Sequence, residues 1–117
     1  SDDIIAKLLE FKQRGLVRAV GASTKTVDGG IRALEAMDVV MAMYTPDYTD
    51  EKPVLEYAAE HHKGVLLKKV LSSGHDTDIA AAFEFALSHP CAPCAIVGTI
   101  NPAHLRANLE AALRALS

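Results

Sequence analysis

With 117 residues, half of them apolar, and a formal net charge of −3, the chain is long enough for one domain with a real core and too apolar to be disordered. It has no basic block and no tryptophan, which argues against nucleic-acid binding through phosphate contacts and base stacking. No apolar run approaches the ~20 residues a membrane helix needs, and the charged, amphipathic residues 1–15 do not read as a secretory leader, so the expected setting is cytoplasmic.

The pattern in chain order predicts nine elements. The chain opens at Ser1-Asp2-Asp3 without a methionine and enters a helix at once, the expectation being a piece of something longer. That helix spans about residues 2–14, with Ile4, Leu8 and Phe11, flanked by Ile5 and Leu9, as its apolar stripe, and Gly15 ends it. A strand follows from about Val17 to Ala22. Thr26 or Asp28 caps a second helix whose stripe is Ile31, Leu34 and Met37. Val39 to Tyr44 is apolar on both parities, as a strand covered on both faces is. After Pro46, Thr49-Asp50 offers a cap, Pro53 fits a first helical turn, and the helix runs to about His62. Val65 to Leu71 is a third strand and Ser72-Ser73-Gly74 a loop. A helix from about Asp78 to Ser88 carries Ile79, Phe83, Ala86 and Leu87 on one face. Cys94 to Val97 is a fourth strand. Asn101 caps the last helix, with Pro102 at its first position and Leu105, Leu109, Ala112, Leu113 and Leu116 as its stripe.

Strict alternation of helix and strand implies parallel strands with right-handed crossovers. Four strands at roughly 30 residues per unit match half of an eightfold β/α barrel, which needs ~250 residues. The expected fold is therefore α/β: half of a (β/α)8 barrel, four parallel strands alternating with helices, in a single domain over residues 1–117.

Two segments repeat one local form. Leu16 to Thr24 and Ile96 to Pro102 each run a strand into a helix start through glycine and hydroxyl residues. Such a junction is expected to expose backbone N–H groups and the positive end of a helix dipole, which suits a phosphate. Elsewhere chemistry is sparse. Cys91 and Cys94 are spaced Cys-x-x-Cys, but further ligands at metal spacing are missing and the motif leads into a strand rather than a helix; they read as small buried residues, with no metal site expected. His61, His62, His75 and His89 read as surface or turn residues, and Asp47 and Asp50 form no carboxylate pair.

These residues, taken in order, resemble the C-terminal half of an aldo-keto reductase. Gly15 to Ser23 is similar to the family's strand carrying a Ser-Asn pair, Val39 to Tyr44 to its sixth strand, and Gly64 to Gly74 to its seventh. Ala95 to Thr99, Asn101-Pro102, His104-Leu105 and Asn108 are similar to its last strand and the start of its final helix. The match runs collinearly over nearly the whole chain. It implies an eight-stranded barrel that reduces a small carbonyl substrate with NADP(H), NAD(H) being possible. The family's catalytic Asp, Tyr, Lys and His sit on the first four strands, so no catalytic residue is expected here and the isolated chain is expected to be inactive.

The resemblance implies a cofactor cradle made of Ser23, Thr24, Lys68, Leu71, Ser72, Gly98, Thr99, His104 and Asn108. Ser23 and Thr24 match the pair that holds the nicotinamide carboxamide, with Thr24 in place of Asn; the alternative for Ser23 is a helix-capping hydroxyl. Met41 stands where the family often has Gln and reads better as a core methionine. Lys68 and Lys69 point to opposite faces by strand parity. Lys68 falls where an aromatic commonly stacks on nicotinamide; it could pair with cofactor phosphates or merely extend to the rim. Leu71 to Gly74 match the loop around the pyrophosphate, Asn108 matches an adenine contact, and His104, with Arg106 nearby, replaces an Arg for the 2′-phosphate. Two rival readings are a lyase forming a Schiff base on a strand-end lysine and a non-enzymatic interaction module. Open sheet edges would favour a homodimer.

Overall fold

A computed structural model describes residues 2–71 and 78–117. The chain alternates α1 (Asp2–Gln13), β1 (Gly21–Ser23), α2 (Val27–Ala36), β2 (Val39–Met43), α3 (Lys52–His61), β3 (Gly64–Lys68), α4 (Ile79–Leu87), β4 (Cys94–Ala95) and α5 (Pro102–Ala115). The four strands form one parallel sheet in sequence order, β1-β2-β3-β4. Each strand therefore neighbours the next through a helix, and all four C-terminal ends lie along one rim.

Pairing is strongest in the centre. β2 and β3 share five register positions, from Val39 with Gly64 to Met43 with Lys68. β1 and β4 pair on one side only, over three and two positions. The sequence pattern predicts longer outer strands, Val17–Ala22 and Cys94–Val97. Leu16 and Val17 are instead exposed, and beyond Ala95 only Ile96 still donates, to the Leu67 carbonyl at 2.9 Å. Residues with one partner strand cannot complete a ladder on the other side. β3 is also shorter than its apolar run, because Lys69 adopts a left-handed φ of 57° that turns the chain out of the strand.

The core lies on one side of the sheet. Val40 and Ala42 of β2 and Val65 and Leu67 of β3 pack against Leu34 of α2, Leu55 and Ala58 of α3, and Phe83 of α4. Leu34, Leu55 and Leu67 are fully buried, each worth roughly 2–3 kcal/mol of transfer free energy. The opposite parity, Ser23, Met41, Met43, Leu66 and Lys68, forms the inner face and is only partly covered or exposed. Val39–Tyr44 is thus covered on one face rather than both, and Met41 lies half-buried beside Ser23 instead of in the core.

Helix ends follow ordinary capping chemistry with one departure. Thr26 Oγ1 accepts from Gly29 N–H at 3.0 Å, Asp78 Oδ1 accepts from Ala81 N–H at 3.0 Å, and Asn101 caps α5. At α3 the cap is Glu51, not Thr49 or Asp50, and its side chain makes no capping bond. α1 is loosely seated: none of its residues is fully buried, Ile4 is exposed, and Ile5, Leu8 and Leu9 make the contact. The stripe of α5 also faces differently from its pattern. Leu105, Leu109, Leu113 and Leu116 are 55%, 58%, 57% and 66% exposed, while Asn108 and Ala111 are buried. Helical periodicity identifies an apolar face; it does not supply the surface that covers it.

Asp38 ties three elements together at the other end of the sheet. Its Oδ1 receives Lys12 of α1 at 2.6 Å, and its Oδ2 accepts from Val20 N–H at 3.0 Å. The Lys12 hydrogen bond, then the Val20 N–H, hold the Asp38 carboxyl below the ordinary carboxylate value. A group with a lowered folded-state pKa contributes stability above its unfolded value and loses it as pH falls through the folded one. The stability difference between the native chain and Asp38→Asn should be constant near neutrality and shrink below about pH 4. Urea melts of both chains at pH 7, 4 and 3 would show this, and a constant difference at all three would contradict it.

Candidate functional site

At the rim where β1, β2 and β3 end, one side chain draws two strands together. Lys68, the last residue of β3, reaches across β2 and donates from Nζ to Ser23 Oγ at 3.0 Å and to the Thr24 carbonyl oxygen at 3.3 Å. Parity places Ser23 and Lys68 on the same inner face. Ser23 accepts from Lys68, so its own O–H is left to donate to another group. The Ser23 hydroxyl is not a cap: the α2 cap is Thr26.

Thr24 is directed differently. Its N–H donates to the Met41 carbonyl at 3.1 Å, and its Oγ1 is buried without a hydrogen-bond partner. A Cβ placed on Gly30 of α2 would lie 3.3 Å from that oxygen. The Thr24 hydroxyl therefore sits under α2, and only its backbone oxygen faces Lys68.

Beside Lys68 a cavity of ≈ 470 Å³ opens between the ends of β3 and β4; its lining includes Lys68, Lys69, Leu71, Ile96, Val97 and Gly98. Lys69 itself is exposed. A second cavity, ≈ 410 Å³ and mainly apolar, lies between α4, β4 and α5 against Phe83, Leu105, Asn108 and Leu109. Val97 borders both. Asn108 is 6% exposed and its Oδ1 is buried without a hydrogen-bond partner. The pair of cavities thus offers a cationic end, a small-residue middle at Gly98 and an apolar end with one unsatisfied amide oxygen.

The expected cluster is only partly assembled. Ser23, the Thr24 carbonyl and Lys68 meet directly; Leu71 and Gly98 share the Lys68 cavity; Asn108 lines the adjoining one. Thr99 is exposed and accepts from Asn101 N–H through Oγ1 at 3.2 Å. His104 and Arg106 are exposed on α5 and line neither cavity. Ser72, with Ser73, Gly74 and His75, lies outside the described residues.

The expectation of free N–H groups at the last helix start is overturned. Pro102 has none, Ala103 and His104 N–H both reach Asn101 Oδ1, at 2.9 and 3.3 Å, and Leu105 N–H reaches the Asn101 carbonyl at 3.0 Å. The capping residue has consumed the donors that an anion would use. Any anion at this rim must rely on Lys68 or Lys69 and on the segment ahead of the helix.

Other sequence candidates resolve plainly. Cys91 is half-buried and Cys94 is exposed, so they are not the buried pair expected, and both are free thiols. Burial pushes the Cys91 thiol up to about 11, which leaves it protonated and unreactive. His89 lies in the turn after α4 but is buried there: Nδ1 accepts from Cys91 N–H at 3.0 Å, its ring meets Tyr44 edge-on, and burial lowers its pKa. His61 stacks on Tyr57 with ring centroids 3.9 Å apart. Among the described residues no cluster could hold a metal ion. No described helix is long and apolar enough to cross a membrane.

One rim residue escapes sequence reasoning. Glu51 is buried; its Oε2 accepts from Met43 N–H at 3.4 Å, and its Oε1 has no hydrogen-bond partner. Tyr48 beside it is raised above the ordinary phenol value by burial first and then by Glu51 and Asp50. An acidic residue just ahead of a helix is so common a cap that its pattern does not announce a buried carboxylate.

Searches with family models and among curated proteins find no match. Solved structures do match. Two solved structures, each described as a provisional aldo-keto reductase from Pseudomonas aeruginosa, are 48% identical to this chain over 94% of its length, each with a TM-score of 0.87. The chain spans only 42% and 43% of those longer chains. In sequence and in fold it is an aldo-keto reductase relative, with four parallel strands and their helices matching half of that barrel.

Asn108 gives a direct test of whether the apolar cavity is built for a ligand. A buried, unsatisfied amide oxygen costs stability unless something arrives to satisfy it. Replacing Asn108 by Leu should raise stability to thermal or urea unfolding by about 1 kcal/mol. A loss of stability would show that the amide is held by its surroundings and is not reserved for a ligand.

Proposed function

We propose that this aldo-keto reductase relative supplies the cofactor-binding C-terminal half of an NADP(H)-dependent enzyme that reduces a small carbonyl compound. The observation that carries the reading is the rim at which Ser23, the Thr24 carbonyl and Lys68 meet, next to two adjoining cavities, on a chain 48% identical to part of a protein described as an aldo-keto reductase. A dinucleotide is long, anionic in the middle and aromatic at both ends. The exposed Lys69 and Gly98, which line one cavity, suit the charged middle, and the Asn108 cavity suits adenine, whose amino group could donate to the orphaned Oδ1. Ser23 would donate to the carboxamide. The exposed His104 and Arg106 suit a 2′-phosphate, which favours NADP(H), with NAD(H) the alternative.

The bound cofactor would supply the hydride. This chain's residues would bind and orient it and keep its reactive face toward the open side of the sheet. Holding two reactants in register removes much of the entropic barrier to their meeting. Proton donation would come from outside the matched segment, since Ser23 and Lys68 serve the cofactor. The setting we propose is cytoplasmic, in keeping with two free thiols.

Calorimetric titration should detect NADPH binding to the chain, while NADPH with a reactive aldehyde should show no oxidation above background. Turnover by the chain alone would refute the division of labour, and absence of nucleotide binding would refute the cradle.

The two open edges and the bare inner face lead us to propose a homodimer when the chain is alone, a second copy lending the missing edge partners. Light scattering should give twice the 12.5 kDa chain mass. A monomer persisting at high concentration would count against this arrangement.

A further inference from the structure

We propose that Lys68 makes this site select the reduced, uncharged nicotinamide over the oxidised, cationic one. The inference rests on the cradle reading above. It starts from what the ammonium is doing at the rim. Both groups it holds, Ser23 Oγ at 3.0 Å and the Thr24 carbonyl at 3.3 Å, are neutral. Among the described residues no carboxylate pairs with it. The neighbours on its own face, Met41, Met43 and Leu66, are apolar and only half-buried. Lys68 therefore carries a positive charge with no ion-pair partner: the buried Glu51 carboxylate of the same rim accepts from Met43 N–H instead, and an apolar wall does little to screen the ammonium.

Ser23 is the group that fixes where that charge acts. By accepting from Lys68 it keeps its O–H for a carboxamide oxygen, so a ring held by Ser23 lies in the neighbourhood of the ammonium. The reduced and oxidised cofactors share every phosphate, and they differ by one positive charge on the ring. A phosphate contact made by Lys68 would strengthen both alike. Repulsion at the ring weakens the oxidised form alone. The bound couple is thereby biased toward reducing the carbonyl and letting the oxidised product go.

Titration of the chain with NADPH, NADP+ and 2′-phospho-ADP-ribose, which has the phosphates and no nicotinamide, separates these roles. The native chain should prefer NADPH to NADP+ by about tenfold. Lys68→Met should collapse that preference to within about twofold by strengthening NADP+ binding, Lys68→Arg should retain it, and 2′-phospho-ADP-ribose should bind all three chains alike, with circular dichroism confirming the same fold. An equal loss for all three ligands in Lys68→Met would make Lys68 a phosphate ligand and overturn the proposal. A preference unchanged in Lys68→Met, or absent from the native chain, would also overturn it while leaving the cradle standing. If none of the three ligands binds the native chain, the cradle reading fails and the inference with it.

Discussion

Parallel pairing is the constraint on which the rest depends. Parallel neighbours cannot be joined by a tight turn; each needs a crossover, and here each crossover contains a helix. The consequence is that every strand ends at the same rim, whatever its side chains. Ser23 and Lys68 are 45 residues apart in the chain yet share a hydrogen bond because β1 and β3 both stop there, on either side of β2. The five-position register of β2 with β3 fixes the height of Lys68, and the β1–β2 register fixes that of Ser23. The site follows from the way the strands are stacked, with little contribution from local sequence.

Much of this could be read from the sequence because it is local. Alternating helix and strand patterns and the Asn101-Pro102 start of α5 each follow from residue spacing, and each appears in the structure. What could not be read depends on partners. A strand's pattern does not say how many neighbours it has, so β1 and β4 are shorter than their apolar runs. A helix's stripe does not say what will cover it, so three leucines of α5 and its C-cap Leu116 stand in solvent while Asn108 is buried. The Thr24 hydroxyl turns under α2 because the strand parity continues past Ser23, and its motif reads as a pair only when orientation is ignored.

Capping and ligand binding compete for the same atoms. Asn101 uses one oxygen to hold two N–H groups of α5, which secures the helix start and removes it as an anion site. Positive charge at the rim is supplied by a lysine side chain instead. A helix dipole is fixed in place, whereas Lys68 is held by two hydrogen bonds that a ligand can exchange. The rim therefore joins a rigid scaffold to a movable cation, and three buried polar oxygens near it, on Thr24, Thr45 and Glu51, have no hydrogen-bond partner.

The unequal pairing across the sheet has a dynamic consequence. The β2–β3 spine shares five positions and β4 holds on by two. Local opening is easiest where few hydrogen bonds and few buried contacts resist it. The side of the rim that carries Ile96, Val97 and Gly98 is therefore the loosest margin of the sheet, and part of any ligand's binding free energy would be consumed in ordering it. Tight binding in such a molecule is limited less by the contacts available than by how firmly the last stave is held when the ligand arrives.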